Sequence, residues 1–316
     1  MSCVHGDEMK FLITGGAGFL GSALANRLVE GGHHVRVLDD LSAGDQKRLD
    51  SRVVFTRGDT RDIPKLWTLL KGVDCVYHLA ARVSVQESIL YPVEYNEVNV
   101  GGTVSLMTAV RDARVKRVVF SSSGAAYGEQ EEQPVRETAR LKPSSPYAVS
   151  KMAAEGYVLA LSALWGIETV ILRVFNAYGP GQNIPPTHAP VIPRFLKQIV
   201  GGGSLVIYGD GRQSRDFVYI SDAVDAMAAA AKATNVDRAV INVGSGREVT
   251  IKELVQVIER ATGRSAYCLY NEAESGGVSR LVADIALARD KLGFQPKVDL
   301  EAGLRRILRE DEQFRK

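Results

Sequence analysis

Six short apolar runs punctuate residues 11–177, and none of them alternates polar with apolar side chains. They are "FLITGG" (11–16), "HVRVLDD" (34–40), "VVFTRGD" (53–59), "DCVYHLAA" (74–81), "KRVVFSSS" (116–123) and "ETVILRVFNA" (168–177). A strand that is apolar at successive positions is buried on both faces, which requires helices above and below its sheet. Stretches with helical periodicity do separate the runs, at 19–32, 63–72, 92–113 and 145–166. Strand–helix alternation on this scale predicts an α/β chain built on a doubly wound parallel sheet. The rhythm ends at "YGPGQNIPPTHAP" (178–190), a loop by its Pro and Gly content. Short strands and helices mix beyond it. The expected division is a first domain over 1–177, to which 216–243 returns, and a smaller α/β domain over 178–316.

Composition excludes several classes. With 39 basic and 37 acidic residues the formal charge is +2, too small for a field that gathers nucleic acid or an anionic membrane. No apolar run approaches the roughly 18 residues of a membrane span, and "MSCVHGDEMK" has no apolar signal region. Cys3, Cys75 and Cys268 are far apart, and no His, Cys or carboxylate set has metal-ligand spacing. A cytoplasmic protein with reduced thiols and no metal is the expectation. His78, inside an apolar run, reads as a hydrogen-bonded core histidine.

The turn after the first run, "ITGGAGFLG", sets Gly15, Gly18 and Gly21 three apart at the start of a helix. Glycines there permit a tight turn, a close approach of a pyrophosphate to backbone N–H groups, and close helix–strand packing. The helix N-terminus adds partial positive charge. Such a turn alone also serves as plain turn. The second run adds the deciding feature, because it ends in Asp39, eighteen residues after Gly21, where a carboxylate can hold an adenosine ribose diol. A 2′-phosphate would meet that carboxylate as an unpaired like charge, so the cofactor expected is NAD and not NADP. Asp59, after the third run, is offered to the adenine amino group.

"SPYAVSK" (145–151) places Tyr147 and Lys151 one turn apart on one helix face. In isolation this also describes a Tyr packed on the sheet beside a Lys reaching for water. The fifth run, however, ends in "FSSSGAAYG" at the same sheet edge, so a serine hydroxyl and the phenol can converge on one substrate carbinol. A free phenol has a pKa near ~10. A cation ~5 Å away at an effective dielectric of ~20 is worth about 3 kcal/mol, roughly two pKa units. Lys151 together with the nicotinium charge of a bound cofactor is therefore expected to bring Tyr147 toward the range of a base at neutral pH.

"TGGAGFLG", "HLAA", "SSSGAAYG", "PYAVSK", "RVFNAYGPGQ", "YGDGRQSRDFVYISD" and "ADIALARDKLGFQP" occur in that order. In these blocks the chain resembles the extended short-chain dehydrogenase/reductases, the NAD-dependent nucleotide-sugar epimerase/dehydratase family, over nearly its whole length. The resemblance implies Ser123, Tyr147 and Lys151 as the catalytic triad. It implies a cofactor site formed by Gly15, Gly18, Phe19, Leu20, Gly21, Asp39, Asp40, Ser42, Gly44, Asp59, Thr60, Leu79, Ala80, Ala81, Asn99 and Ser121, with Tyr147 and Lys151. It implies a nucleotide-sugar site drawn from Ser84, Ser123, Tyr147, Asn176, Val191, Tyr208 and Arg215. It also implies a homodimer in which helices 92–113 and 145–166 of two copies form a four-helix bundle.

Within the resembled family, dehydratases carry acidic residues directly after the triad Ser or Thr, and decarboxylases an acidic residue two positions on. Gly124 and Ala125 stand there in this chain. The expectation is therefore a 4-epimerase of a UDP-hexose, glucose/galactose or their N-acetyl forms, working through a transient 4-keto sugar. The alternatives are a 4-keto-sugar reductase or dehydrogenase of the same family, or, in another class, a non-catalytic NAD-binding regulatory protein. One departure stands out. Where the family has an Arg that clamps the diphosphate, this chain has Glu274 in "ESGGV". Arg280 or Arg212 takes over, the loop is rearranged, or the substrate is unusual. Leu281 aligns with the family's pocket-size gate and, being of intermediate bulk, does not choose between plain and N-acetylated sugars.

Overall fold

Each apolar run forms a strand: β1 (Lys10–Thr14), β2 (His34–Asp39), β3 (Val54–Arg57), β4 (Cys75–His78), β5 (Arg117–Ser123) and β6 (Glu168–Val174). The structure is a computed structural model that describes residues 8–185, 188–271 and 277–315. The sixth run is shorter than its sequence suggests. It breaks at Phe175, and Asn176–Tyr178 becomes a separate strand, β7. The cause is a change of ladder partner: Phe175 N donates to Val243 O, and Asn176 N donates to Asp216 O. The remaining strands are β8 (Leu205–Tyr208), β9 (Ser214–Arg215), β10 (Phe217–Tyr219), β11 (Ala239–Val243), β12 (Val249–Thr250), β13 (Cys268–Asn271) and β14 (Arg280–Leu281).

The main sheet has seven strands in the order β3-β2-β1-β4-β5-β6-β11. The registers β2–β3, β1–β2, β1–β4 and β4–β5 are all parallel. Strand order reverses between β1 and β4, and in open sheets of this kind ligands bind beyond the carboxyl ends of the strands at that switch point. The glycine-rich turn leaves β1 there, and Leu79–Ala81 leave β4 there.

Helices α1 (Phe19–Glu30), α2 (Ile63–Leu69), α3 (Val85–Leu90), α4 (Pro92–Tyr95), α5 (Gly102–Ala113) and α6 (Pro146–Trp165) accompany the sheet. Stretch 92–113 is not one regular helix. Residues Asn96–Gly101 form a wide π turn between α4 and α5. The widening coincides with buried Asn99, whose side chain is committed outside its own helix, to Arg82 and Ser150. Helix α6 starts on the Ser145 hydroxyl, which accepts from Ala148 N, with Pro146 in the first turn. It ends at Gly166 in a left-handed conformation.

The described residues fall into two compact units, those within 1–123, 145–172 and 224–241 in the first and those within 124–144, 173–223 and 242–316 in the second. In the first, Leu12, Leu38, Val76, Leu106, Val118, Phe120, Val158 and Ile171 build an apolar core. In the second, Ile192, Phe195, Leu205, Ile207, Phe217, Leu254 and Leu304 do so. The second unit's helices include α7 (Val191–Val200), α9 (Ile251–Thr262), α10 (Ala286–Leu292) and α11 (Leu300–Glu310), and α8 (Ile220–Lys232) runs across the division. No helix among the described residues is long and apolar enough to cross a membrane.

Candidate active site

The glycine-rich turn has the shape of a phosphate cradle. Gly15 has φ +68°, and a Cβ there would lie 2.5 Å from Ala80 N, so the turns after β1 and β4 abut. A Cβ at Gly21 would collide with the Gly15 carbonyl. Helix α1 begins at Gly18 with no side-chain cap and no acidic residue in its first turn. The amides of Phe19, Leu20 and Gly21 thus have no carboxylate competing for them, and the residues fit a dinucleotide pyrophosphate.

Asp39 is buried and accepts from Ala17 N at 3.0 Å and Leu41 N at 2.9 Å. Burial raises its pKa, and backbone hydrogen bonds from Leu41, Ala17 and Gly18 oppose the rise. The carboxylate therefore ties the end of β2 to the glycine turn. A Cβ on Gly44 would come 2.8 Å from Asp39 Oδ1, so this loop must pass close as glycine. Arg36, the nearby cation, donates to the Leu69 and Lys71 carbonyls at 2.7 and 2.9 Å, which leaves it caring for the end of α2. Asp40 is exposed and holds Ser42 N at 2.8 Å.

Asp59 and Asn99 have heavier structural duties than the sequence suggests. The Asp59 carboxylate is paired with the Arg61 guanidinium at 2.6 Å, which holds it below its ordinary value. Thr60 is buried, with its hydroxyl 2.6 Å from where a Gly102 Cβ would be. Asn99 accepts from Arg82 N at 2.8 Å and donates to Arg82 O at 3.0 Å and Ser150 Oγ at 2.9 Å. It thereby fixes the loop after β4 to the helix that carries Tyr147. Ser84 caps α3 by accepting from Glu87 N.

A buried polar chain runs behind these loops. Thr103 Oγ donates to Asn99 O at 2.6 Å, so it accepts from His78 Nε2–H at 2.9 Å. His78 Nδ1 then accepts from Thr14 Oγ at 2.7 Å, and Thr14 Oγ receives Ala80 N at 3.4 Å. The ring must be neutral for this polarity to hold. Burial and then the Lys151 charge lower its pKa to about 3. His78 is the satisfied core histidine its strand implies.

Tyr147 is buried, lies edge-on to Tyr95 at 6.4 Å, and is hydrogen-bonded to Ser123. Lys151 Nζ donates to the Ser121 carbonyl at 2.7 Å and sits 4.9 Å above the Phe120 ring. All members of the Ser–Tyr–Lys set thus lie at the end of β5 and on the first turns of α6. Their electrostatics differ from the sequence-based expectation. Burial pushes the Tyr147 phenol up, the Ser123 hydrogen bond draws it back in part, and Lys151 is not among the influences on it. The reason is local: the ammonium is aimed at Ser121 O, and burial has brought its own pKa down to about 8.

Sequence reasoning passed over Glu155. It is buried one turn beyond Lys151, receives the Ser122 hydroxyl, and its charge raises the Lys151 pKa. The signal was available as a third polar residue at the same four-residue spacing.

In the second unit, Arg215 Nη1 donates to the Ser214 and Val278 carbonyls at 2.7 and 2.6 Å, and burial lowers its pKa. Leu281 stands opposite it in the β9–β14 register. Asp216 beside it is buried and gathers the amides of Ser245, Gly246 and Ala283. Asn176 opens β7, Val191 opens α7, and the Tyr208 ring lies 5.1 Å below the Arg194 guanidinium. Glu274 lies outside the described residues. Of its expected replacements, Arg280 is engaged by Glu248 through two 2.6 Å hydrogen bonds, while Arg212 is exposed and 3.3 Å from Asp210. Among the described residues no group of three His, Cys, Asp or Glu side chains could hold a metal.

A doubly wound sheet with an uncapped glycine turn at its switch point, and a Ser–Tyr–Lys set at the end of β5 and on the first turns of α6, defines a dinucleotide-dependent enzyme class. The chain belongs to the NAD dependent epimerase/dehydratase family, whose model matches residues 11–244. It is 36% identical over 299 residues to a putative UDP-glucose 4-epimerase of Methanocaldococcus jannaschii, covering 94% of this chain and 96% of that one. Among solved structures it is similar to the UDP-glucose 4-epimerase of Thermotoga maritima with UDP-glucose, at TM-score 0.91 and 34% identity over 95% of this chain and 98% of the other. It is equally similar to a UDP-N-acetylglucosamine 4-epimerase of Methanobrevibacter ruminantium in complex with UDP-N-acetylmuramic acid, at TM-score 0.91 and 35% identity, covering 96% and 98% of the two chains.

Proposed function

We propose that the chain is an NAD-dependent nucleotide-sugar 4-epimerase acting on a UDP-hexose, glucose/galactose or their N-acetyl forms, through a transient 4-keto sugar. NAD, held by the glycine turn and Asp39, would supply a reversible hydride acceptor when bound. Ser123 holds the C4 oxygen while Tyr147, reacting as the phenolate, takes its proton and becomes the neutral phenol. Once the keto sugar has turned its other face, Tyr147 returns the proton to the C4 oxygen. Lys151 contributes a fixed cation at the base of the site. The first unit is assigned to NAD, and Asn176, Val191, Tyr208 and Arg215 of the second to the nucleotide sugar.

The observation that carries the choice of reaction is the position after Ser123. A Cβ at Gly124 would lie 3.1 Å from the Phe175 ring, so no acidic side chain fits there without displacing that ring. Ala125 has no acid either. Dehydration and decarboxylation lose their second catalyst, whereas epimerisation needs none.

The partner proposed is a second copy of the chain. Helix α6 carries only two charged residues, Lys151 and Glu155, and both are buried, while Val149, Tyr157 and Leu164 are exposed, Leu164 by 77%. Ile89, Leu90 and Val93 on α3 and α4, and Tyr91 between them, are exposed. An apolar face of this extent is stable in water when covered. A cytoplasmic location fits the free thiols of Cys75 and Cys268.

The test is to offer UDP-, GDP- and dTDP-sugars to the purified protein with no added cofactor. C4 inversion of a UDP-hexose, with about one NAD released per chain only on denaturation, is the expected result. Stoichiometric consumption of added NADH would replace it with the reductase reading. Bound NAD without turnover on any sugar would leave a regulatory protein. Sedimentation of the native protein as a monomer would remove the homodimer.

A further inference from the structure

Lys151 is a buried cation, 4% exposed, on a helix whose only other charge is Glu155, 3% exposed and one turn along. Glu155 receives the hydroxyl of Ser122, also 3% exposed, while the preceding residue, Ser121, gives its carbonyl to Lys151 Nζ at 2.7 Å. Successive residues of β5 thus grip successive charged turns of α6. The other groups facing Lys151 are the Phe120 ring beneath it and His78 on β4, which is neutral, and one turn back on the same helix stands Tyr147, whose pKa burial raises. A surface pair at this spacing contributes little. A buried one decides whether the cation survives, because removing its partner leaves an uncompensated charge.

We propose that Glu155 is a positioning residue for the reaction: anchored by the Ser122 hydroxyl, its carboxylate keeps Lys151 charged and seated on the Ser121 carbonyl. This rests on the reading of Lys151 as a working cation. Burial brings the Lys151 pKa down to about 8, and Glu155 is the charge that opposes the fall. Taking that charge away makes Lys151 lose its proton at lower pH.

Glu155→Gln removes the charge and retains the shape and a partner for Ser122. Its expected signature is an alkaline limb of kcat displaced downward by about one pH unit, so that turnover of UDP-galactose falls roughly tenfold at pH 9 and stays within about twofold at pH 6.5. Glu155→Asp and Ser122→Ala, which keep the charge, leave the limb in place. A readout free of turnover accompanies this: the holoenzyme is reduced with borohydride and its nicotinamide fluorescence is titrated with pH, where the inflection moves down in Glu155→Gln. An unmoved limb and inflection overturn the proposal. So does a loss equal at every pH, or a limb moved as far by Ser122→Ala. If Glu155→Gln does not fold, Glu155→Asp decides, since a displaced limb with the charge retained overturns it. A shifted inflection in a protein that inverts no sugar defeats the epimerase reading alone.

Discussion

In the first unit, Tyr147, Lys151 and Glu155 are successive turns of one 20-residue helix, and Ser123 is the last residue of a seven-residue strand. In the second, Asn176 opens a three-residue strand, Arg215 closes a two-residue one, and Val191 starts a helix straight after Pro190. Chemistry on long regular elements inherits their spacing, and the core that buries the element also sets the electrostatics. Chemistry at the ends of short elements depends on distant backbone. Arg215 is aimed by the Val278 carbonyl, and its strand exists only through pairing with β12 and β14. The first arrangement is suited to a proton transfer that must be placed to a fraction of an ångström. The second gathers contacts from far along the chain, as recognition of a large ligand needs.

The largest test of this contrast is Tyr147→Phe. It removes one oxygen from the first unit and should lower kcat by about 10³-fold while NAD content and the unfolding midpoint remain native. Next comes Arg215→Ala, which should leave NAD content native and weaken UDP binding by about 2 kcal/mol, roughly thirtyfold, measured by calorimetric titration. Arg215→Lys should recover only part of it, because an ammonium cannot reproduce the guanidinium fork. If Arg215→Ala emptied the NAD site or Tyr147→Phe abolished UDP binding, the division of labour would be wrong.

That division explains what the sequence discloses. The doubly wound sheet, Asp39, Tyr147 and Lys151 are legible because helix and strand periods fix where their side chains go, and Gly15 because the turn spacing of the glycines does. The break of the sixth run at Phe175 is not, because it reflects a switch of hydrogen-bond partner from Val243 to Asp216, residues dozens of positions away. The π turn at Asn99 escapes for the same reason, being tied to Arg82 and Ser150. The direction of the Tyr147 shift also escaped, since pairwise spacing says nothing of desolvation, and desolvation is the larger influence. Glu155 was visible by spacing but had no meaning until its burial was known.

His78 probes the buried polar chain behind the cofactor loops. Its pKa lies near 3 in the folded chain against 6.5 ordinarily, so between those values the unfolded state binds the extra proton. Stability should therefore fall as pH drops from about 6.5 toward 3, and His78→Asn should flatten that part of the curve. At pH 7 the same variant should cost about 1–3 kcal/mol, because one of the two threonine hydroxyls loses its partner. Denaturant midpoints at several pH values check both statements.

The smallest effect expected is at Asp39, where the two duties of one carboxylate can be separated. It accepts backbone amides from Ala17 and Leu41 and is also the group offered to a ribose diol. Asp39→Asn keeps an acceptor for one amide and removes the charge. Stability should change by less than about 1 kcal/mol, because the turn retains most of its hydrogen bonds. Cofactor choice should relax by roughly tenfold in the NAD/NADP affinity ratio, since a 2′-phosphate no longer meets a like charge. Fluorescence titration with the two reduced cofactors reads the ratio. An unchanged ratio would mean that the carboxylate serves the glycine turn alone, and that rejection of the phosphate comes from the close passage of Gly44.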